Sequence, residues 1–130
     1  MAKVIIAGSR TITDILVVRK AIEQRAFAID ELVHGNAEGV DRIAQRWAEG
    51  KEIPIKIFPA QWRKHDRAAG PIRNIEMAKY ADCLIAIYDG KSKGTMHMIQ
   101  TMNKLGKPVQ IFDDKGNFRS KTQQEGADEI

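Results

Sequence analysis

Short apolar runs, each closed by glycine or a small polar residue and each followed by a helix-like stretch, set the strongest constraint on this chain. Lys3-Val4-Ile5-Ile6-Ala7 ends at Gly8, and Glu31-Leu32-Val33-His34 ends at Gly35. Ile53 to Phe58 alternates and ends at Pro59, Asp82 to Tyr88 is almost wholly apolar, and Pro108 to Phe112 closes the series. Continuous apolar runs of this length read as strands buried on both faces, which is the habit of parallel sheets.

Between the runs the period changes to that of a helix. Ile15, Val18, Ile22, Ala26 and Ile29 recur at helical spacing after Thr11-Ile12-Thr13-Asp14, which carries a capping acid. Val40, Ile43, Ala44, Trp47 and Ala48 form a second stripe that stops at Gly50. Ala60 to Ala69 is a polar connection, and Pro71 suits the first turn of a helix running to about Tyr80. Thr95, Met98, Ile99, Met102 and Leu105 give a fourth stripe, ended by Lys104 and Gly106.

Strands alternating with helices imply right-handed crossovers and a parallel sheet covered on both faces. The expected fold is therefore α/β: a Rossmann-like three-layer sandwich with a five-stranded parallel sheet. At 130 residues the chain is one domain. That domain is expected to span residues 1–112, with 113–130 as a polar tail, mobile or weakly helical.

Composition narrows the class of protein. Hydrophobic residues make up 43% and charged residues 29%, so the chain can fold around a core. One cysteine forms no internal disulfide, Cys83 reads as core, and no Cys/His cluster has zinc spacing, so neither metal nor cofactor is expected. No apolar run approaches the roughly 20 residues of a membrane span. The strand-like start suggests no leader peptide, and a cytoplasmic location is the expectation. Net charge is +4, yet Asp113 to Ile130 holds three basic and five acidic residues, so the body is more basic than the whole. Trp62-Arg63-Lys64-His65-Asp66-Arg67, followed by Arg73, is the densest basic stretch. A modestly positive body suits a phosphate-bearing partner, or is simply a solvated face.

In such sheets ligands lie beyond the carboxyl ends of the strands, where strand order reverses. The residues there are Gly8-Ser9-Arg10, then Gly35-Asn36-Ala37-Glu38-Gly39-Val40-Asp41, then Asp89-Gly90-Lys91-Ser92-Lys93-Gly94-Thr95. Glycines admit a close ligand, and helix N-termini offer N–H groups to an anion. Ser92 and Thr95 add hydroxyls, and Arg10 and Arg73 add guanidinium forks. Each motif has a plainer reading as a turn, a cap or a surface charge. Neither a P-loop nor Gly-x-Gly-x-x-Gly is present.

The ordered series of these motifs, with Phe58-Pro59-Ala60-x-Trp62 and Gly70-Pro71-x-Arg73-Asn74-x-x-Met77 between them, resembles the SLOG superfamily. More narrowly it resembles the YspA/YpsA-related branch, common in bacteria and their phages, over about residues 3–111. Lonely Guy phosphoribohydrolases, which cleave the N-glycosidic bond of nucleoside 5′-monophosphates, are relatives in that superfamily. Arg73, Met77, Gly94 and Thr95 match their pattern, but their glutamate falls on Met98 and their Pro-Gly-Gly becomes a loop with Asp89, Gly90 and Ser92.

Three functions follow as expectations. The resemblance implies a binder of a nucleotide-derived ligand, ADP-ribose or NAD-related or a nucleoside phosphate, acting as sensor or sequestering protein. Gly8, Ser9 and Arg10 would then line the floor; Gly90, Ser92, Gly94, Thr95 and Arg73 would hold phosphate; Asn36, Asp41 or Asp89 would hold ribose, beside Gly35 and Gly39. The alternative is a nucleotide N-glycosidase using Asp89 and Arg73, with burial raising the Asp89 pKa. The weakest is nucleic-acid binding, because DprA proteins share the superfamily; the small net charge argues against it. Superfamily relatives also imply a homodimer.

Overall fold

The computed structural model describes residues 2–122. The chain forms β1 (Lys3–Gly8), α1 (Ile15–Glu23), β2 (Glu31–His34), α2 (Val40–Gly50), β3 (Ile55–Ile57), α3 (Trp62–His65), a 3₁₀ turn (Asp66–Ala68) and α4 (Ala69–Tyr80). Then follow β4 (Cys83–Ile87), α5 (Lys93–Lys104), β5 (Val109–Phe112) and β6 (Phe118–Thr122). The sheet order is β3-β2-β1-β4-β5-β6. The first five strands pair in parallel, and β6 runs antiparallel to β5.

The order explains the layers. From β1 the chain winds outward to β2 and β3, returns to β4 beside β1, and winds outward again to β5. Right-handed crossovers in opposite directions put helices on opposite faces. Ile6, Leu32, Ile85 and Phe112 pack with Val18 and Ile22 of α1 and Ala44 and Ala48 of α2. Ile5, Val33, Leu84 and Val109 pack with Met77 of α4 and Met98, Ile99 and Met102 of α5. All five residues of β4 are buried, as its apolar run requires of a central strand. Cys83 lies in that core, and burial pushes its thiol up to about 12.

Two expectations need correction. The sheet has six strands and is mixed, because residues 118–122, read as tail, form β6. The preceding turn is built to hold it. Asp113 Oδ1 accepts from the N–H groups of Lys115 and Asn117, and Gly116 takes φ +82°. Lys20 of α1 donates to Asn117 Oδ1 (2.6 Å) and Gln24 donates to the Gly116 carbonyl (2.7 Å). Residues 123–130 of the expected tail lie outside the described residues. Helix α1 also ends at Glu23 although the apolar stripe runs to Ile29. The cause is Gln110 of β5, only 3% exposed. It donates to the Gln24 carbonyl and accepts from Ala26 N–H, so these two backbone groups are bonded to the sheet and do not continue the helix.

One cation serves the scaffold alone. Lys107 Nζ donates to the carbonyls of Ala78, Lys79 and Ala81 at 2.7, 3.2 and 2.7 Å, satisfying orphan acceptors at the C-terminus of α4.

Candidate ligand-binding site

Strand order reverses between β1 and β4, so their carboxyl ends bound the crevice where ligands of such sheets lie. The loop after β1 and the loop after β4 meet there. Ser9 is buried; its N–H bonds the Ile87 carbonyl, and its hydroxyl accepts from Asp89 N–H at 3.3 Å. The loop after β2 packs against the loop after β1. Gly39 has φ +78°, and a Cβ there would lie 2.7 Å from the Arg10 carbonyl. Gly8 abuts Val40 at the start of α2. These contacts bring Gly8, Ser9, Arg10, Gly35, Asn36, Gly39, Asp89 and Gly90 to one sheet edge.

Much of the polar set is already occupied by the scaffold. Asp41 is 5% exposed, and its Oδ2 accepts from Gly35 N–H (3.0 Å) and Ala37 N–H (3.1 Å). Burial raises its pKa, opposed by those bonds and by the nearby His34 and Arg73. Asn36 takes φ +61° and donates its N–H to His34 Nδ1. That bond leaves Nε2 of the fully buried His34 as the donor to Gln45 Oε1, 2.6 Å away. Asp41 and His34 thus shape the loop of residues 35–37.

Arg73 ties three elements together. Its Nη1 donates to the Gly35 carbonyl (2.5 Å) and the Phe58 carbonyl (3.4 Å), and its Nε donates to Asn74 Oδ1 (3.0 Å). Gly35 has no side chain to obstruct the guanidinium, which would collide with a Cβ there. All three acceptors are neutral. Burial lowers the Arg73 pKa first, Asp41 opposes this, and the neighbouring Arg10 lowers it further. The like charge of Arg10 disfavours the Arg73 cation, a repulsion that a bound anion would relieve.

The loop after β4 presents the start of α5. Asp89 Oδ1 accepts from the N–H groups of Lys91 (2.8 Å) and Ser92 (2.9 Å). Those bonds hold its pKa below the ordinary carboxylate value, so the expected rise by burial is corrected: the side chain is largely solvated and stays ionised. Ser92 caps α5 through its Oγ, which accepts from Thr95 N–H and contacts Thr95 Oγ1 at 2.9 Å. Among the described residues, the N–H groups of Lys93 and Gly94 donate to no protein acceptor. They are the first two donors of α5, where the helix dipole favours an anion. Met98, at the position of the relatives' glutamate, is 1% exposed in the core.

Asn74, which belongs to the resemblance motif, and His97, which by its place after Gly94-Thr95 could face a ligand or be a partly exposed helix histidine, join the site through one another. Asn74, 6% exposed, donates to the Gly94 carbonyl (3.2 Å) and meets His97 Nδ1 at 3.1 Å, while its Oδ1 receives Arg73. This carboxamide holds the guanidinium against the first turn of α5. Sequence reasoning passed over a cleft of about 470 Å³ on the α1 side of the edge, lined by Thr11 to Asp14, Val17, Asp89, Lys91, Asp114 and Lys115. Its outer wall is the β5–β6 turn, which had been read as tail. Among the described residues no group of acids, histidines or cysteines is arranged to hold a metal ion, and no helix is long and apolar enough to cross a membrane.

Comparison with known proteins agrees with this architecture. The family model described as the YspA, cpYpsA-related SLOG family matches residues 2–65. The Gene 61 protein of Mycobacterium phage D29 is 38% identical over 124 residues, which is 88% of this chain and 99% of that protein. The chain belongs to the YspA/cpYpsA-related SLOG family. No solved structure matches significantly. The SLOG model covers β1 through α3, so Arg73 and the Asp89–Thr95 loop lie beyond the matched residues. Membership of this family points to a nucleotide-related function.

Proposed function

We propose that this SLOG protein binds a nucleotide or nucleotide-derived ligand at the carboxyl edge of the sheet, as a sensor or sequestering protein. The observation that carries the reading is the pair of unused N–H donors at Lys93 and Gly94, set at the strand-order reversal with Arg73 braced against the same helix turn through Asn74. Together they offer a phosphate group backbone donors, a helix dipole and guanidinium charge. Asp89, ionised and beside the crevice, is an acceptor for ribose hydroxyls.

Binding is favoured over N-glycosidic cleavage because Met98 replaces the glutamate of the phosphoribohydrolases and is sealed in the core. The test is to incubate the protein with AMP, ADP-ribose, NAD and ribose 5-phosphate, reading thermal stabilisation and product masses in the same wells. Stabilisation with intact ligand is expected. Arg10→Ala should weaken it by about 10- to 150-fold, the loss of one charged hydrogen bond, without lowering the melting temperature of the free protein. Free base with ribose phosphate would make the protein a hydrolase. No stabilisation by any of the four would refute the reading.

A further inference from the structure

Trp62 is an exposed indole in a setting that gives it a use. The chain has two tryptophans. Trp47 is half-buried beneath Arg25, whose guanidinium lies 5.5 Å from the ring centroid. Trp62, in contrast, is 59% exposed, so it does not cap the sheet edge as a core residue would. Its ring lies over the first turn of α4, with Cη2 3.9 Å from where a Cβ on Gly70 would be. Gly70 and Arg73 are three residues apart in α4 and share one face of it.

Gly70, over which the indole lies, stands about one helical turn, roughly 5 Å, from the base of the arginine that braces the anion site. The Arg73 guanidinium reaches the Phe58 carbonyl, four residues before Trp62, so the segment Phe58–Trp62 arches over the same corner. Beside the ring lies an open hollow of about 610 Å³, lined by Trp62, His65, Asp66, Arg67 and Ala68. Arg67 and Asp66 line it with opposite charges, and Arg63 and Lys64 are exposed on the adjoining α3, so the segment as a whole is basic. A flat aromatic surface on a segment that carries Arg63, Lys64 and Arg67 against the single acid Asp66 fits a ligand that is both aromatic and anionic.

We infer that Trp62 is the stacking platform for the base of the ligand, so that the site takes a nucleotide with its base on the indole and its phosphate toward Arg73 and the start of α5. This rests on the nucleotide reading of the site and adds the element that recognises the base. Stacking of a base on an aromatic side chain is sequence-tolerant, so affinity should depend on the presence of a base more than on its identity.

The experiment uses the full chain carrying Trp47→Phe, which leaves Trp62 as the one indole fluorophore. AMP, ribose 5-phosphate and an octamer of deoxyadenylate are titrated while fluorescence and thermal stabilisation are followed. AMP should quench Trp62 and bind about 5- to 100-fold more tightly than ribose 5-phosphate, the range of one base–aromatic stack. Trp62→Ala should bring AMP down to the affinity of ribose 5-phosphate, and Trp62→Phe should keep most of the difference. Because Trp62 is exposed, both variants should melt with the parent. Equal binding of AMP and ribose 5-phosphate, untouched by Trp62→Ala, would overturn the stacking role and leave the phosphate site standing. Binding of neither would overturn the nucleotide reading itself. Quenching by the octamer alone, weakening with salt, would assign the indole to nucleic acid and overturn the inference.

Discussion

Removing the Asp41 carboxylate tests whether the loop after β2 is preformed by the scaffold. In Asp41→Ala the N–H groups of Gly35 and Ala37 lose their acceptor. Each unpaired buried donor costs about 1–3 kcal/mol. Ala37 is only half-buried, and deletion also relieves the desolvation that raises the Asp41 pKa, so the net loss is about 2–4 kcal/mol. For a chain of this length that lowers the melting temperature by about 6–16 °C. Asp41→Asn keeps an acceptor oxygen and should lose under about 1 kcal/mol. The pair also fixes a pH signature. A carboxyl group whose folded pKa is raised above 3.8 contributes stability that is full below the unfolded value and is lost as pH rises through the folded value. Relative to Asp41→Asn, the parent protein should therefore be most stable in acid and lose that advantage on going to neutral pH. Urea unfolding of the three proteins across this range measures both effects. Asp41→Ala within about 0.5 kcal/mol of the parent, the scatter expected of ordinary surface changes, would refute the bonding account. A parent that gained on Asp41→Asn with rising pH would refute the burial account.

Two further outcomes follow from the geometry. Gly116→Ala should destabilise by about 1–3 kcal/mol, because φ +82° is strained for alanine and the new Cβ would lie 2.7 Å from the Val17 carbonyl; an unchanged urea midpoint would return residues 113–117 to the status of a loose tail. Asp89 and Asp113 both have folded pKa values held below 3.8 by backbone N–H donors, so their contribution is present above 3.8 and lost as pH falls through the lower folded values. The Asp89→Asn/Asp113→Asn double variant should accordingly show a flatter acid limb of melting temperature than the parent, and identical limbs would show that neither turn is held by charge.

What was legible in the sequence follows from what burial writes into it. β4 is enclosed on both faces, and its apolar run announced a central strand. β3 is an edge strand with Ile57 40% exposed, and its ordered span shrinks to Ile55–Ile57 from the longer run expected. β6 carried no signal of its own, since all five residues are exposed and edge strands need no apolar face. Its signature lay in the turn, where an aspartate and a glycine three residues later are suited to the bonds that Asp113 and Gly116 make. At the candidate site, charge and glycine pointed to the edge where strand order reverses, yet the partners of Arg73 were unreadable. They are the carbonyls of Gly35 and Phe58, and a main-chain oxygen leaves no mark on a side-chain pattern. His34 was invisible for a related reason: its partner Gln45 is a polar residue in a helix that the apolar stripe dominates.

The same distinction decides which groups are left to meet a ligand. Polar residues gathered at one edge look equivalent in sequence, but hydrogen-bond capacity is finite and the scaffold has first claim on it. Asp41 is used in shaping one loop, Ser92 and Thr95 in capping α5, and much of Arg73 in joining β2, β3 and α4. The N–H groups of Lys93 and Gly94, the exposed Arg10 and the Trp62 ring remain uncommitted. That remainder contains donors, positive charge and an aromatic surface, the groups that the proposed phosphate and base would need. General acid catalysis would need one carboxyl group that both faces the crevice and has a raised pKa. Asp41 has the raised pKa but is turned into the loop, and Asp89 faces the edge but is held ionised. The two properties that would make one carboxylate a proton donor to a leaving base are divided between two residues, and this division favours a protein that holds its ligand over one that cleaves it.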